Sequence, residues 1–245
     1  FNLINNKNNS VLISLSPIWL FSEFFLFLSQ NKKESLKYLK TLIVVSSTSL
    51  LTKKFATNSF DKNLVSKIDY AEKIIKSTCQ NLAIPCIILR PTLIYGKSGP
   101  YQDKNLSLIK QILKNFPILV LPRRTGLRQP IHCSELSFLL FNMSIKAFEN
   151  NKKEINTKEI NIGGDEELTY FQMIKRYIFV SKSSTKFSCF FILLPNRLFY
   201  FLFSPLILIS PKHFAIFQRI SANLSGFEKV SSFLNKSPSE FPIRP

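Results

Sequence analysis

Three short apolar runs constrain this chain more than anything else in it: Val11–Leu15 (VLISL), Thr41–Val45 (TLIVV) and Pro85–Leu89 (PCIIL). A strand with one wet face alternates apolar and polar residues, whereas a continuous apolar strand must be covered on both faces. Between the runs lie segments with helical spacing. In Asn63–Gln80 the residues Leu64, Ile68, Ala71 and Ile75 fall on one face. Ile18–Ser29 reads as an apolar helix after a Ser16-Pro17 turn, and Lys32–Lys40 as a polar connection. Lys104–Asn115 is a further helix and Ile118–Leu121 a further short strand. Strands that alternate with helices in this way form an open parallel α/β sheet. Ligands of such sheets sit beyond the carboxyl ends of the strands. Chemistry is therefore expected at Ser16-Pro17, Ser46–Ser49 and Arg90–Gly96.

After Asn150 the character changes, which suggests one domain over 1–150 and a lobe over 151–245. Asn161–Gly164 reads as a short strand entering a turn, and Leu168–Val180 as a helix. Phe187–Pro211 is rich in Phe and Leu. Its longest uncharged part, Leu198–Ser210, contains Pro205 and is too short to span about 30 Å of hydrocarbon. It is expected mainly as the core of a small, mostly helical C-terminal lobe, with peripheral membrane contact as the other reading.

The net charge of +18 calls for an explanation. Clustered Lys and Arg would indicate nucleic acid, but here the charges are scattered and no block of five or six like charges occurs. No nucleic-acid partner is expected. The four cysteines form no C-x-x-C pair, and only His132 and His213 could assist them, so no metal site is expected and a reducing, cytoplasmic compartment fits. Val11–Leu28 is broken by Pro17, Ser22 and Glu23 and has no basic flank before it, so it reads as strand, turn and helix and not as a signal peptide.

Five segments in order resemble the extended short-chain dehydrogenases, the group of NAD-dependent nucleotide-sugar epimerases and dehydratases. They are VLISLSP at Val11–Pro17, TLIVVSSTS at Thr41–Ser49, LRPTLIYG at Leu89–Gly96, LRQPIHCSE at Leu127–Glu135 and INIGG at Ile160–Gly164. The resemblance implies a Rossmann-like, doubly wound parallel sheet that binds NAD or NADP. It places Ser16, Pro17, Ser46, Ser47, Lys67 and Pro91 at the cofactor. It makes Thr48 and Lys67 catalytic, and sets Tyr95 and Arg128 against a nucleotide-sugar-like substrate, with a homodimer as a further expectation. Each residue also has a plainer reading. Thr48 would cap a strand end, Pro91 would end a strand, Arg128 would sit at the surface and His132 would simply pack.

Two departures from the family pattern stand out. The family's Tyr-x-x-x-Lys pair shares one helix face, so that the Lys lowers the Tyr pKa. Lys67 lies 23 residues before Arg90, matching the family spacing, yet Asn63 stands four residues before it. Tyr70 has Ile74 four residues on, so neither register gives an intact pair. The second departure is at the start. A dinucleotide fold opens with a Gly-rich turn, and none of the six glycines precedes Gly96. The expectation is an N-terminally truncated fragment whose sheet lacks its first strands. Its function would be an epimerase/dehydratase-like NAD(P)-binding protein. The alternative is a non-catalytic structural or sensor protein that keeps only the binding.

Overall fold

The computed structural model describes residues 9–243 apart from 57, 99, 104, 150–155 and 183–188. Contacts group the chain into two compact units. One takes in Phe1–Phe55, Asp61–Pro91 and Leu136–Ile162, the other Ala56–Phe60, Thr92–Glu135 and Gly163–Pro245. The sequence suggested one boundary near residue 150. By these contacts the chain leaves the first unit after Pro91 and returns to it at Leu136, and the Thr157–Gly163 strand joins the sheet that the early strands began.

In the first unit, β1 (Ser10–Ser14), β2 (Leu39–Val45) and β3 (Cys86–Pro91) lie side by side in that order, all parallel. The Thr157–Gly163 strand runs parallel beyond β3, with Ile160 opposite Leu89. The crossovers are helices, as parallel strands require: α1 (Ile18–Asn31) joins β1 to β2, and α2 (Ser49–Thr52) and α3 (Ser59–Asn81) join β2 to β3. One core holds Phe21 and Phe25 of α1, Ile68 and Ile75 of α3, and Val44 and Ile88 of the strands. Alternation sends Ile43 and Leu89 to the opposite face, where they are equally buried. That explains the unbroken apolar runs. Helix Cys133–Glu149 buries Leu136, Leu139 and Leu140, and Lys40 of β2 donates to its Phe148 carbonyl at 3.0 Å.

α3 ends through Ala83, whose φ of +55° is left-handed. The Ile84 amide then donates to the Cys79 carbonyl at 2.9 Å, and both side chains are buried in the same core. This is the usual closure of a helix by a left-handed residue, a position that suits glycine. Alanine pays for the conformation with Cβ strain.

The second unit is built from smaller pieces. Ile118–Pro122 pairs in parallel with Phe190–Leu194, and Leu127–Arg128 pairs antiparallel with Leu168–Thr169. Tyr95, Leu106, Leu113, Met173 and Ile174 form one core; Leu121, Phe199 and Ile220 form another. The predicted helix over Leu168–Val180 is Tyr170–Lys182, since its first two residues are spent on the strand pair. Phe187–Pro211 departs further from expectation. Residues 187 and 188 lie outside the described residues, and in the remainder Phe199 is fully buried while Leu198, Phe201, Leu202, Leu208 and Ile209 are exposed.

Ala83→Gly is expected to raise the unfolding free energy by about 0.5–1 kcal/mol, because relief of left-handed strain exceeds the entropy that glycine adds to the unfolded chain. Thermal melting would show this as a rise of roughly 2 °C.

Candidate functional site

The carboxyl ends of β1, β2 and β3 form one edge of the first unit. After β1, the Ser14 and Ser16 hydroxyls lie 3.2 Å apart, and Ser16 and Pro17 are exposed. After β2, the Ser46 amide donates to the Leu89 carbonyl at 2.7 Å, and the Ser46 hydroxyl donates to Glu72 Oε1 at 2.6 Å. The Ser47 hydroxyl accepts the Ser49 amide at 3.1 Å, a local turn leading into α2. Thr48 is buried. Its amide and its Oγ1 both donate to the Pro91 carbonyl, at 3.1 and 3.0 Å. The fold thus brings Ser46, Ser47, Thr48 and Pro91 together. It also commits the Thr48 proton, leaving that oxygen as an acceptor.

Lys67 lies on the solvent side of α3. The sheet-facing side of α3 carries Asp61, Leu64, Ile68, Ala71, Glu72 and Ile75, whereas Asn63 and Lys67 are exposed. The helix turns about 100° per residue, so one step separates Lys67 from buried Ile68. The i, i+4 positions that do face inward are Leu64 and Ile68, and neither can move a proton. Buried Asp61 is paired with Lys53, 2.8 Å away, in the loop beyond β2.

Behind the edge lies a charged cluster that the spacing of motifs did not single out. Arg90 of β3 donates through Nε to Glu72 Oε1 at 2.9 Å and pairs through Nη2 with Glu72 Oε2. Nη2 also reaches Glu159, at 2.6 Å, and Lys76 pairs with the same carboxylate. The bond to Glu72 holds the guanidinium above its ordinary pKa although burial opposes it. Burial alone would raise Glu159, but the bonds from Lys76 and Arg90 outweigh it and hold Glu159 below its ordinary value of 4.5. The sequence did carry a sign of this: Glu72 falls on the apolar stripe of α3, where an acid needs a buried partner.

In the second unit, Arg128 is buried against carbonyls. Nη1 donates to Leu127 O at 2.7 Å and Ala222 O at 2.6 Å, Nη2 donates to Arg219 O, and the guanidinium lies 5.2 Å from the Tyr170 ring centroid. It therefore caps the carboxyl end of helix Pro211–Ser221, where a cation is favoured. Burial, chiefly, pushes its pKa down to about 10, so it stays charged at neutral pH. The Tyr95 hydroxyl accepts the Ile243 amide at 3.0 Å, and its ring packs edge-on to His132 and Phe241. His132 Nδ1 lies 2.6 Å from the Ser134 hydroxyl, and burial lowers its pKa. Fully buried Gln129 was also missed. Its amide donates to Gly164 O and Phe227 O and accepts from the Phe227 amide, stitching three segments together.

A cavity of about 1050 Å³ opens at the other end of the first unit's sheet, lined by Lys33, Lys37, Lys40, Lys158, Leu36 and Pro85. These residues stand at the amino ends of the strands, away from the edge where α/β sheets hold their ligands, so the hydroxyl-lined edge remains the candidate. Among the described residues no group of three or more His, Cys, Asp or Glu could hold a metal ion.

No family profile and no curated protein matches the sequence. Solved structures do match. UDP-glucuronic acid 4-epimerase from Bacillus cereus, in complex with NAD, superposes with a TM-score of 0.57 at 19% identity, over 94% of this chain and 70% of that one. dTDP-glucose 4,6-dehydratase from Bacillus anthracis, also with NAD, gives 0.56 at 15%, over 94% and 68%. MoeE5 in complex with UDP-glucuronic acid and NAD gives 0.53 at 14%, over 94% and 74%. The chain has their Rossmann-like fold. At these identities the likeness establishes the architecture, and within this fold the hydroxyl-lined edge occupies the carboxyl ends of consecutive strands.

Arg90→Leu leaves Glu72 buried without its main partner and is expected to lower the unfolding free energy by about 3–5 kcal/mol in urea titration; Arg90→Leu with Glu72→Leu should recover most of that. Because folding depresses the Glu159 pKa, its contribution is present above the unfolded value and is lost as pH falls through the folded one. The urea midpoint should therefore decline below about pH 4.5, and Glu159→Gln should flatten the decline.

Proposed function

We propose that this chain is an NAD(P)-binding protein of the epimerase/dehydratase type, related to nucleotide-sugar metabolism. The observation that carries the reading is the edge at which Ser46–Thr48 and Pro91 lock together at the ends of adjacent parallel strands. It sits in a fold whose solved representatives are described in complex with NAD and, for MoeE5, with UDP-glucuronic acid. The residues present fit one half of a dinucleotide. Ser16, Pro17, Ser46, Ser47 and Pro91 would supply hydroxyl oxygens and ring faces for a nicotinamide and its ribose. The pyrophosphate half calls for a Gly-rich turn, and the sequence has no glycine before Gly96. The bound cofactor would supply hydride exchange with a sugar carbon. Thr48 would accept a hydrogen bond through its remaining lone pairs. In the same reading Lys67 holds the ribose, Tyr95 lines the substrate and Arg128 takes the diphosphate. Arg128 would have to release a carbonyl of Arg219 or Ala222 to do so.

The sheet-facing side of α3 favours a narrower second reading, in which the protein binds cofactor without turning substrate over. Leu64 and Ile68 hold the inward i, i+4 positions, and Asn63 cannot act as a general acid.

Calorimetric titration with NAD and NADP is expected to give saturable binding; no heat at millimolar cofactor would end the proposal. Incubation with NAD and UDP-glucuronic acid or UDP-glucose is expected to give no epimer and no rise at 340 nm. Turnover on the order of one per second or faster, as for ordinary enzymes, would eliminate the second reading.

A further inference from the structure

Helix Asn196–Phe203 (NRLFYFLF) carries no charged or amide side chain from Leu198 to Phe203. A helix that is apolar all round belongs in an interior or against another apolar phase. Here one side alone is packed. Phe199 is fully buried, and Phe203 stacks on Phe217 with centroids 4.3 Å apart. On the other side Leu198, Phe201 and Leu202 are exposed, Phe201 at 73%. After the Ser204-Pro205 turn, the helical turn Leu206–Ile209 extends the same character, with Leu208 90% and Ile209 78% exposed. Single exposed leucines are ordinary, but a contiguous run of large apolar side chains on consecutive elements marks a docking surface.

The charge around this surface says what it docks to. Between Glu167 and Glu228 the sequence holds no Asp or Glu and seven Lys or Arg. Arg197 is exposed at the start of the helix. The neighbouring Arg123-Arg124 turn, also exposed, is fastened to that start: the Arg124 amide donates to Asn196 Oδ1 at 3.0 Å and Asn196 Nδ2 donates to the Arg124 carbonyl at 3.1 Å. An apolar surface with three arginines at one end, in a stretch of sequence free of acids, complements an anionic headgroup layer over acyl chains. A second copy would complement it poorly, since a two-fold pairing would set one arginine group against the other. Among the described residues no helix is long and apolar enough to cross a membrane.

We propose that Asn196–Phe203 and Leu206–Ile209 form an interfacial anchor that seats this protein on a bilayer containing anionic phospholipid. The exposed side chains of Phe201, Leu208 and Ile209 enter the headgroup–acyl boundary, and Arg123, Arg124 and Arg197 meet phosphate. The surface lies wholly within the second unit and needs no cofactor, so its test is independent of NAD(P) binding.

The full chain would be floated with phosphatidylcholine vesicles and with vesicles containing roughly one-third phosphatidylglycerol. Co-flotation is expected with the anionic vesicles at low salt, with strong weakening at roughly 0.5 M salt, where screening is short-ranged. Leu208→Ser with Ile209→Ser should reduce partitioning at least about tenfold, with the circular dichroism spectrum and urea midpoint unchanged. Arg197→Glu, at an exposed position, should also weaken anionic binding. Three results would each overturn the proposal. One is no co-flotation with either vesicle. Another is equal binding by wild type and the Leu208/Ile209 variant. The third is a wild-type dimer in light scattering that the same variant converts to monomer.

Discussion

The Arg90 guanidinium is the interaction on which the first unit turns. It sits on β3, donates to Glu72 of α3 and reaches Glu159 on the strand beyond, while the Ser46 hydroxyl at the end of β2 donates to the same Glu72. One carboxylate is thus shared between a buried cation and the first residue of the candidate edge. Removing charges from water is expensive, and a buried pair holds only when its remaining donors and acceptors are satisfied. Here they are, because three strands and a helix converge on it. The position of Ser46, and with it the Ser47–Thr48 corner, depends on that convergence as much as on the backbone ladder.

Much of this architecture was legible in the residues. Runs such as TLIVV have no polar alternation because Leu42 and Val44 meet one layer while Ile43 meets the other. Both faces being covered left few folds to consider. The hydroxyl cluster after β2 was equally plain, since a strand that ends in Ser-Ser-Thr must place those groups at the sheet's edge. Their hydrogen bonds were not readable. Whether Thr48 points its proton at a ligand or at the Pro91 carbonyl depends on how closely two loops approach, and the sequence has no record of that distance.

Lys67 illustrates a different limit. Spacing along the chain gives its separation from Arg90, but helical phase decides which side chains pack against the sheet, and exposed Lys67 stands one residue from buried Ile68. The apolar stripe did contain the correct phase through Ile68, Ala71 and Ile75. Glu72, standing within that stripe, was the clue that a charge partner lay underneath. The Phe-rich segment after residue 187 misled in the opposite sense. Hydrophobicity marks what avoids water, without saying whether protein or some other phase provides the cover, and helix Asn196–Phe203 is covered on one side alone.

The inward face of α3 also bears on how this chain can change over generations. Leu64 and Ile68 hold the inward i, i+4 positions of this helix, and packing limits what can replace either of them. A lysine at position 68 would enter a site where the present side chain is 2% exposed. Desolvation would drive it towards the neutral form and destabilise the fold. A tyrosine at position 64 would enlarge a residue already packed against the core. Each of these single changes is disfavoured by packing alone. Substitution can therefore alter the exposed side of this helix, Asn63 and Lys67 included, while Leu64 and Ile68 are held apolar by the packing they serve.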